Sequence, residues 1–426
     1  MIDGLAILLV AAAALLCASA AWVATNYFGR SLVSPFVVIP LSSFLYLASN
    51  GFRTLFEGQA LEPPDIKIFL VGCLGLTAFV AGGGIGQARA ARVEPTPDPV
   101  IAIAGYLLVV AGLLGQVYLL QTEGPLFFLE GKGARNLAQA SLGPEKFAKD
   151  LLIPGQILLS LYYTRKKNWA AKPFLIASAL VFCVFFLYEV RSAIALQFIT
   201  FLYFYNRNVT PLSWRQLVVG ASALFLLGAI GKYFFYYGRL WIGGEDLVIN
   251  VDRDLIALTL TQHEFFAWVE ILRNLEGEFL FGETIYRSLL STLQPGFLGG
   301  ESYSPTQWYA DRYEAAAAQL GYGRGFTFLG ELYVNFGTAG MALLLFLFGI
   351  AIRRAEDDRR YDFVAAFASG AFPFLWTGNS ALLFKTYGVI YLCLPLLMLA
   401  ILWLARRGLA QLARVDARTR PRRAAE

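Results

Sequence analysis

Long apolar runs, broken by short polar stretches, fill most of the chain. A helix needs about 20 apolar residues to cross a hydrocarbon core of roughly 30 Å. Stretches that meet this condition fall at 4–24, 32–50, 67–85, 99–120, 148–163, 173–189, 192–206, 216–236, 327–350, 363–378 and 387–405. The long polar-mixed interval is 237–326. Within it, 254–276 places apolar residues at 255, 258, 265, 268, 269, 272 and 275, including Phe265 and Trp268, with Phe266 beside them. That spacing predicts a helix with a broad apolar face lying at the membrane interface. Ser304-Pro305 reads as the N-cap and first residue of a second helix over 305–320, stopped by Gly321. The pattern predicts an all-α integral membrane protein of about eleven transmembrane helices (ten to twelve), one polytopic domain over 1–426. Residues 237–326 would form a folded lid, and 406–426 a basic tail.

Composition removes the alternatives. Of 426 residues, 57% are hydrophobic and 15% charged, against about 25% charged in soluble domains. Such a chain cannot cover itself with a polar surface, so soluble and disordered classes fall away. Cys17, Cys73, Cys183 and Cys393 all lie in apolar runs and form no CxxC pair, so they read as buried small side chains. One histidine excludes a His-rich metal site.

Charge sets the expected orientation. Arg30; Arg89 and Arg92; Arg165, Lys166, Lys167 and Lys172; Arg207 and Arg215; Arg353, Arg354, Arg359 and Arg360; and the tail arginines from Arg406 to Arg423 occupy alternate loops. Cytoplasmic loops carry the Lys/Arg excess. The N-terminus is therefore expected in the periplasm, the C-terminus in the cytoplasm and 237–326 outside, in a bacterial inner membrane. Ala18-Ser19-Ala20 resembles a cleavage site, but the first run reads as an uncleaved anchor. The arginine-rich tail suits lipid headgroups rather than nucleic acid.

Candidate chemistry gathers on the outward side. The 237–326 interval holds six arginines (Arg239, Arg253, Arg273, Arg287, Arg312, Arg324), no lysine and twelve acids. A guanidinium matches phosphate oxygens two at a time, which suits a lipid-linked diphosphate; pairing with the loop's own acids is the competing explanation. Arg135 lies in another outward loop. Arg191 sits in the tight break Glu189-Val190-Arg191-Ser192 between two spans, where a charge is costly and marks function; pairing with Glu189 or snorkelling is the alternative. Tyr303, Trp308, Tyr309 and Tyr322 could stack on sugar faces or pack as interfacial aromatics.

Further along, Gly323-Arg324-Gly325-Phe326-Thr327-Phe328-Leu329-Gly330-Glu331-Leu332-Tyr333-Val334-Asn335-Phe336-Gly337-Thr338-Ala339-Gly340 resembles the GE-x-Y-x-N-F-G-x-x-G opening of a late span in Wzy-type oligosaccharide repeat-unit polymerases. Arg191-Ser192 resembles the S-R-[GS] turn of the wider O-antigen polymerase and ligase superfamily, and Leu293-Gln294-Pro295-Gly296 a family loop motif. The resemblance implies a metal-independent, cofactor-free GT-C-type membrane glycosyltransferase. It would transfer a growing glycan from undecaprenyl diphosphate onto a new lipid-linked repeat unit at the periplasmic face, making lipopolysaccharide or a related polymer. Membrane lipids and a chain-length regulator protein would be its partners. O-antigen ligases carry a histidine about eleven residues before the first Gly of that G-x-x-G; Phe326 stands there, which favours polymerase over ligase. A flippase or other transporter of lipid-linked sugars is the rival of another class, disfavoured because most functional-looking charge lies outside the spans.

The reaction needs cations for the leaving diphosphate and an acceptor for a sugar hydroxyl proton. Arg191 and the arginines at 135, 239, 273, 287, 312 and 324 would serve the first, with Tyr303, Tyr322 and Asn335 as sugar contacts. Glu331, fixed at the mouth of a span, is expected as the base, ahead of His263 on a lid helix, with Glu301 as a further acid. Asp252-Arg253-Asp254 comes close to a metal-binding Asp-x-Asp, but arginines make a metal unnecessary.

Overall fold

The computed structural model describes residues 2–58, 60–85, 97–123, 148–188, 190–223, 226, 279–294, 303–313, 327–375, 378 and 380–419. Among the described residues there are helices and no strands. In chain order they are α1 (Ile2–Asn26), α2 (Pro35–Leu47), α3 (Ser49–Glu57), α4 (Pro63–Gly84), α5 (Pro99–Glu123), α6 (Ala148–Arg165), α7 (Lys172–Leu187), α8 (Arg191–Asn208), α9 (Glu283–Leu293), α10 (Pro305–Tyr313), α11 (Phe328–Asp357), α12 (Asp362–Leu375) and α13 (Leu394–Thr419). A π-helical segment, Leu382–Cys393, leads into α13, and helical residues 214–223 follow α8.

Among the described residues, six helical stretches are long and apolar enough to cross a membrane: Gly4–Asn26, Pro35–Phe56, Pro63–Gly84, Pro99–Thr122, Phe328–Asp357 and Leu382–Gln411. Lys172–Leu187 and Asp362–Ala371 are apolar but shorter. The chain thus reads as a multi-pass membrane protein whose described residues form helices without strands. Several expected boundaries move. The second run is two helices, α2 and α3, meeting at Ala48. The last runs from Leu382 rather than 387 and continues to Gln411, so part of the 406–426 tail is helix. The eighth run is described only as far as Leu226.

Close-packed glycine seams join the spans, because lipid supplies no hydrophobic drive between helices and small residues let backbones touch. A Cβ at Gly82 of α4 would collide with the Phe346 carbonyl of α11, and one at Gly349 with the Phe79 carbonyl. On α5, Gly105 and Gly112 face Leu159 and Leu152 of α6 in the same way. Lys67, early in α4, lies 5.7 Å from the Tyr333 ring, early in α11, while Gly82 meets Phe346 further along both helices, so α4 and α11 are parallel; Gly105 with Leu159 and Gly112 with Leu152 run in opposite order, so α5 and α6 are antiparallel.

One end of the bundle is closed by a buried ionic layer. Arg30 binds Asp357 at 2.8 Å and Glu356 at 3.1 Å. Arg353 binds Asp357 at 2.7 Å. Asp362, buried at the start of α12, takes Arg165 at 3.2 Å and Arg207 at 2.8 Å, and Arg207 also donates to the Glu356 carbonyl at 2.8 Å. Burying charges is costly unless they are paired, so these contacts tie five segments together. Arg30, Arg165, Arg207 and Arg353 come from alternate loops of the sequence, and the structure gathers them at this end.

Candidate active site

The opposite end of the bundle is built around the first turns of α11. Thr327 caps this helix, its Oγ1 accepting from the Gly330 amide at 2.9 Å. Glu331 and Asn335 follow one turn apart on the buried face, both fully enclosed. At Gly337 the helix breaks: φ is 66° and ψ −173°, a region essentially reserved for glycine. In the turn before the break, the carbonyls of Val334 and Asn335 accept the amides of Leu280 and Phe281 at 3.1 and 3.0 Å. The two bonds deliver the chain into α9, through left-handed Phe281 (φ 47°) and Gly282 (φ 90°). The break in a spanning helix and the docking of the segment that leads into α9 are therefore one feature.

Side chains complete the dock. Glu331 Oε1 accepts from Thr284 Oγ1 of α9 at 2.7 Å and from Ser380 Oγ at 2.6 Å; Oε2 accepts the Ser380 amide at 2.6 Å. Asn335 Nδ2 donates to Thr284 Oγ1 and to the Glu331 carbonyl, both at 2.7 Å. Ser288 Oγ lies 2.8 Å from Ser380 Oγ. Three segments, α9, α11 and the turn into the π-helical segment, thus meet on one carboxylate. Asn335 Oδ1 and Tyr303 Oη are buried and have no hydrogen-bond partner among the described residues.

The expected site residues fall into three groups. Glu331, Asn335 and Tyr303 come together: burial, and then the Glu331 charge, push the Tyr303 phenol well above its ordinary value. Arg287 is nearby but engaged, bonding Glu283 at 2.7 Å and sitting 5.7 Å from the Tyr303 ring centroid. Arg312, on α10, lies 6.0 Å from the Trp308 ring; α10 begins at Pro305, where the sequence puts it. Arg191 opens α8 as its first residue, and its side chain lies outside the described residues. His263, Arg135, Arg239, Arg273, Arg324 and Tyr322 also lie outside them, as do Glu301, the Asp252-Arg253-Asp254 trio and the helix expected over 254–276.

Thr284, Ser288 and Ser380 escape the sequence reading because small hydroxyls carry no charge signal. The available hint is spacing: Thr284 and Ser288 stand four apart, on one face of a helix.

A family model for O-antigen polysaccharide polymerase Wzy matches residues 139–372, more than half of the chain. The chain belongs to this family. No curated protein and no solved structure matches it. The matched stretch holds Arg191, α9, Glu331, Asn335 and the Gly337 break, and ends just short of Ser380. Wzy membership makes the substrate a lipid-linked oligosaccharide and the setting a membrane. This end of the bundle brings together buried polar atoms, two aromatic rings under guanidinium groups, and a helix, α9, hydrogen-bonded to the bundle.

Proposed function

We propose that this Wzy-family chain polymerises undecaprenyl-diphosphate-linked oligosaccharide repeat units at the periplasmic face, as a GT-C-type glycosyltransferase without a metal. The observation that carries this reading is the family match over the segment that builds the Glu331 dock. A hydroxyl of the incoming repeat unit attacks the anomeric carbon of the growing glycan. The new C–O bond forms as the bond to the diphosphate breaks, and the electron pair leaves on the diphosphate oxygen. Arg191, with Arg135, Arg239, Arg273 and Arg324, is proposed to hold that oxygen, since preorganised guanidinium groups are worth most where charge develops.

Glu331 takes a different part in this reading from the one its position in the sequence suggests. Three short donors already occupy its carboxylate and it has no exposed surface. We assign it to fixing α9 and the hydroxyl shell, as a positioning residue, and leave the proton to His263. Tyr303 and Asn335 supply polar atoms for the sugar.

Purified protein in proteoliposomes, given lipid-linked repeat units, should make a ladder of products differing by one repeat unit. Transfer of a single unit to lipid A core, with no ladder, would identify a ligase instead. Reporter fusions at Gly300 and after Arg423 should lie on opposite sides of the membrane, the first periplasmic.

A further inference from the structure

Helix α9 has the reverse of the polarity expected in water. Its buried residues are hydroxylic: Thr284 and Ser288 are enclosed, and Ser291 and Thr292 are half-buried beside them. Its apolar residues point outward: Tyr286 is 61%, Leu290 42% and Leu293 69% exposed, with Leu289 also exposed. At about 100° per residue, these residues divide the helix into sectors. The hydroxyls occupy one side and the four large apolar residues the other. Glu283 and Arg287, exposed and paired with each other, lie on one flank. Ile285, packed against the core, lies on the opposite flank.

A helix lying flat where a bundle meets both lipid and water needs this order: bundle, then membrane interior, then lipid, then water. The apolar sector also continues an existing surface. The Phe336 ring of α11 lies against Gly282, 3.2 Å from where a Cβ would start. Phe336 is itself exposed, and Leu343, Leu344 and Leu347 extend the exposed apolar stripe down the same spanning helix. That stripe belongs to a segment long and apolar enough to cross the membrane, so its surroundings are acyl chains. Exposed apolar surface of this extent marks an interaction site, and the surface shared with α11 identifies what covers it.

We propose that α9 is immersed in the outer leaflet: Tyr286, Leu289, Leu290 and Leu293 lie among lipid acyl chains, Glu283 and Arg287 rise to the headgroups, and Thr284 and Ser288 hold the helix to the bundle. The lid is then a three-sided wedge between bundle, lipid and water. Neither its placement nor its test depends on the polymerase reading, because the readout requires no turnover.

A photoreactive phenylalanine analogue placed at Leu290 of the full chain, in proteoliposomes, tests it by mass spectrometry of the adducts. Phospholipid acyl adducts are expected at 290, with their loss when the probe is moved to Glu283 on the water flank. An adduct joining two copies of the chain would make this face a subunit interface and overturn the proposal. Solvent quenching without any adduct at 290 would place the face in water and overturn it equally. Equal lipid adducts at 283 and 290 would refute the three-sided placement. Both positions are exposed in the structure, so neither probe disturbs packing.

Discussion

Replacing Gly337 by alanine tests whether the break in α11 docks the lid. The break has φ 66° and ψ −173°, and holding a side-chain-bearing residue there costs about 1–3 kcal/mol. The new Cβ would also lie 3.1 Å from Phe279 Cζ, a tight contact that the ring can relieve by a small shift. The backbone term therefore dominates. Alanine favours the continuous helix, which withdraws the Val334 and Asn335 carbonyls from the amides of Leu280 and Phe281. At about 1.4 kcal/mol per tenfold, the docked arrangement should weaken roughly 5- to 150-fold. Hydrogen exchange at Leu280 and Phe281 should accelerate by that factor, and the polymer ladder should shrink. Phe279→Ala added to Gly337→Ala should restore little, because it removes the contact and leaves the strain. Gly408→Ala is the control: it sits in α13 with open space around it and should leave both readouts unchanged. Wild-type exchange together with a wild-type ladder in Gly337→Ala would refute the argument.

Thr284→Val keeps the shape of α9 while removing one donor to Glu331 and the acceptor of Asn335; about 1–3 kcal/mol of docking should be lost, with faster exchange across α9 and less polymer, whereas a normal ladder would remove the hydroxyl shell from function. Glu331→Gln should damage lid docking as well as turnover, since its amide must aim a donor at Ser380 or Thr284; polymerisation lost with α9 exchange unchanged would return Glu331 to the role of base. Arg191→Lys keeps the charge but loses the planar fork, so polymer should fall sharply at normal expression, and an unchanged ladder would exclude Arg191 from the diphosphate site. Asp362→Asn strands Arg165 and Arg207 at the ionic layer, and unfolding in detergent should show a loss of about 3–5 kcal/mol, with no loss refuting a structural role for that layer.

The parts of this architecture legible in the sequence are those set by length and charge. Runs of apolar residues give Gly4–Asn26, Pro63–Gly84 and Pro99–Thr122 as spanning segments to within a few residues, because hydrocarbon thickness fixes their length; Phe328–Asp357 starts where expected but continues past the expected end at 350 into the ionic layer. Loop arginines foretell the convergence of Arg30, Arg165, Arg207 and Arg353. Their partners are less visible: Asp362 and Glu356 read as ordinary charges beside a helix end until packing encloses them. The π-helical segment has no sequence signature of its own; an apolar run is compatible with either winding.

Helix α9 marks a deeper limit, and it bears on how Glu331 should be understood. Periodicity identifies an apolar face, but the identity of the solvent decides whether that face turns inward. In water, Tyr286, Leu289, Leu290 and Leu293 would seek the core; beside lipid they can face outward and leave Thr284 and Ser288 for the interior. A buried hydroxyl face then needs an acceptor, since an unpaired polar group is expensive away from water. Glu331 supplies it, taking Thr284 and Ser380 together. A carboxylate at the mouth of a spanning helix invites a catalytic assignment from sequence, because enclosure of an acid so often marks chemistry. Here the inverted helix gives the same enclosure a second cause. The acid that the sequence singles out is also the one that accepts from α9 and from Ser380, and turnover measured together with the docking of α9 separates the two roles.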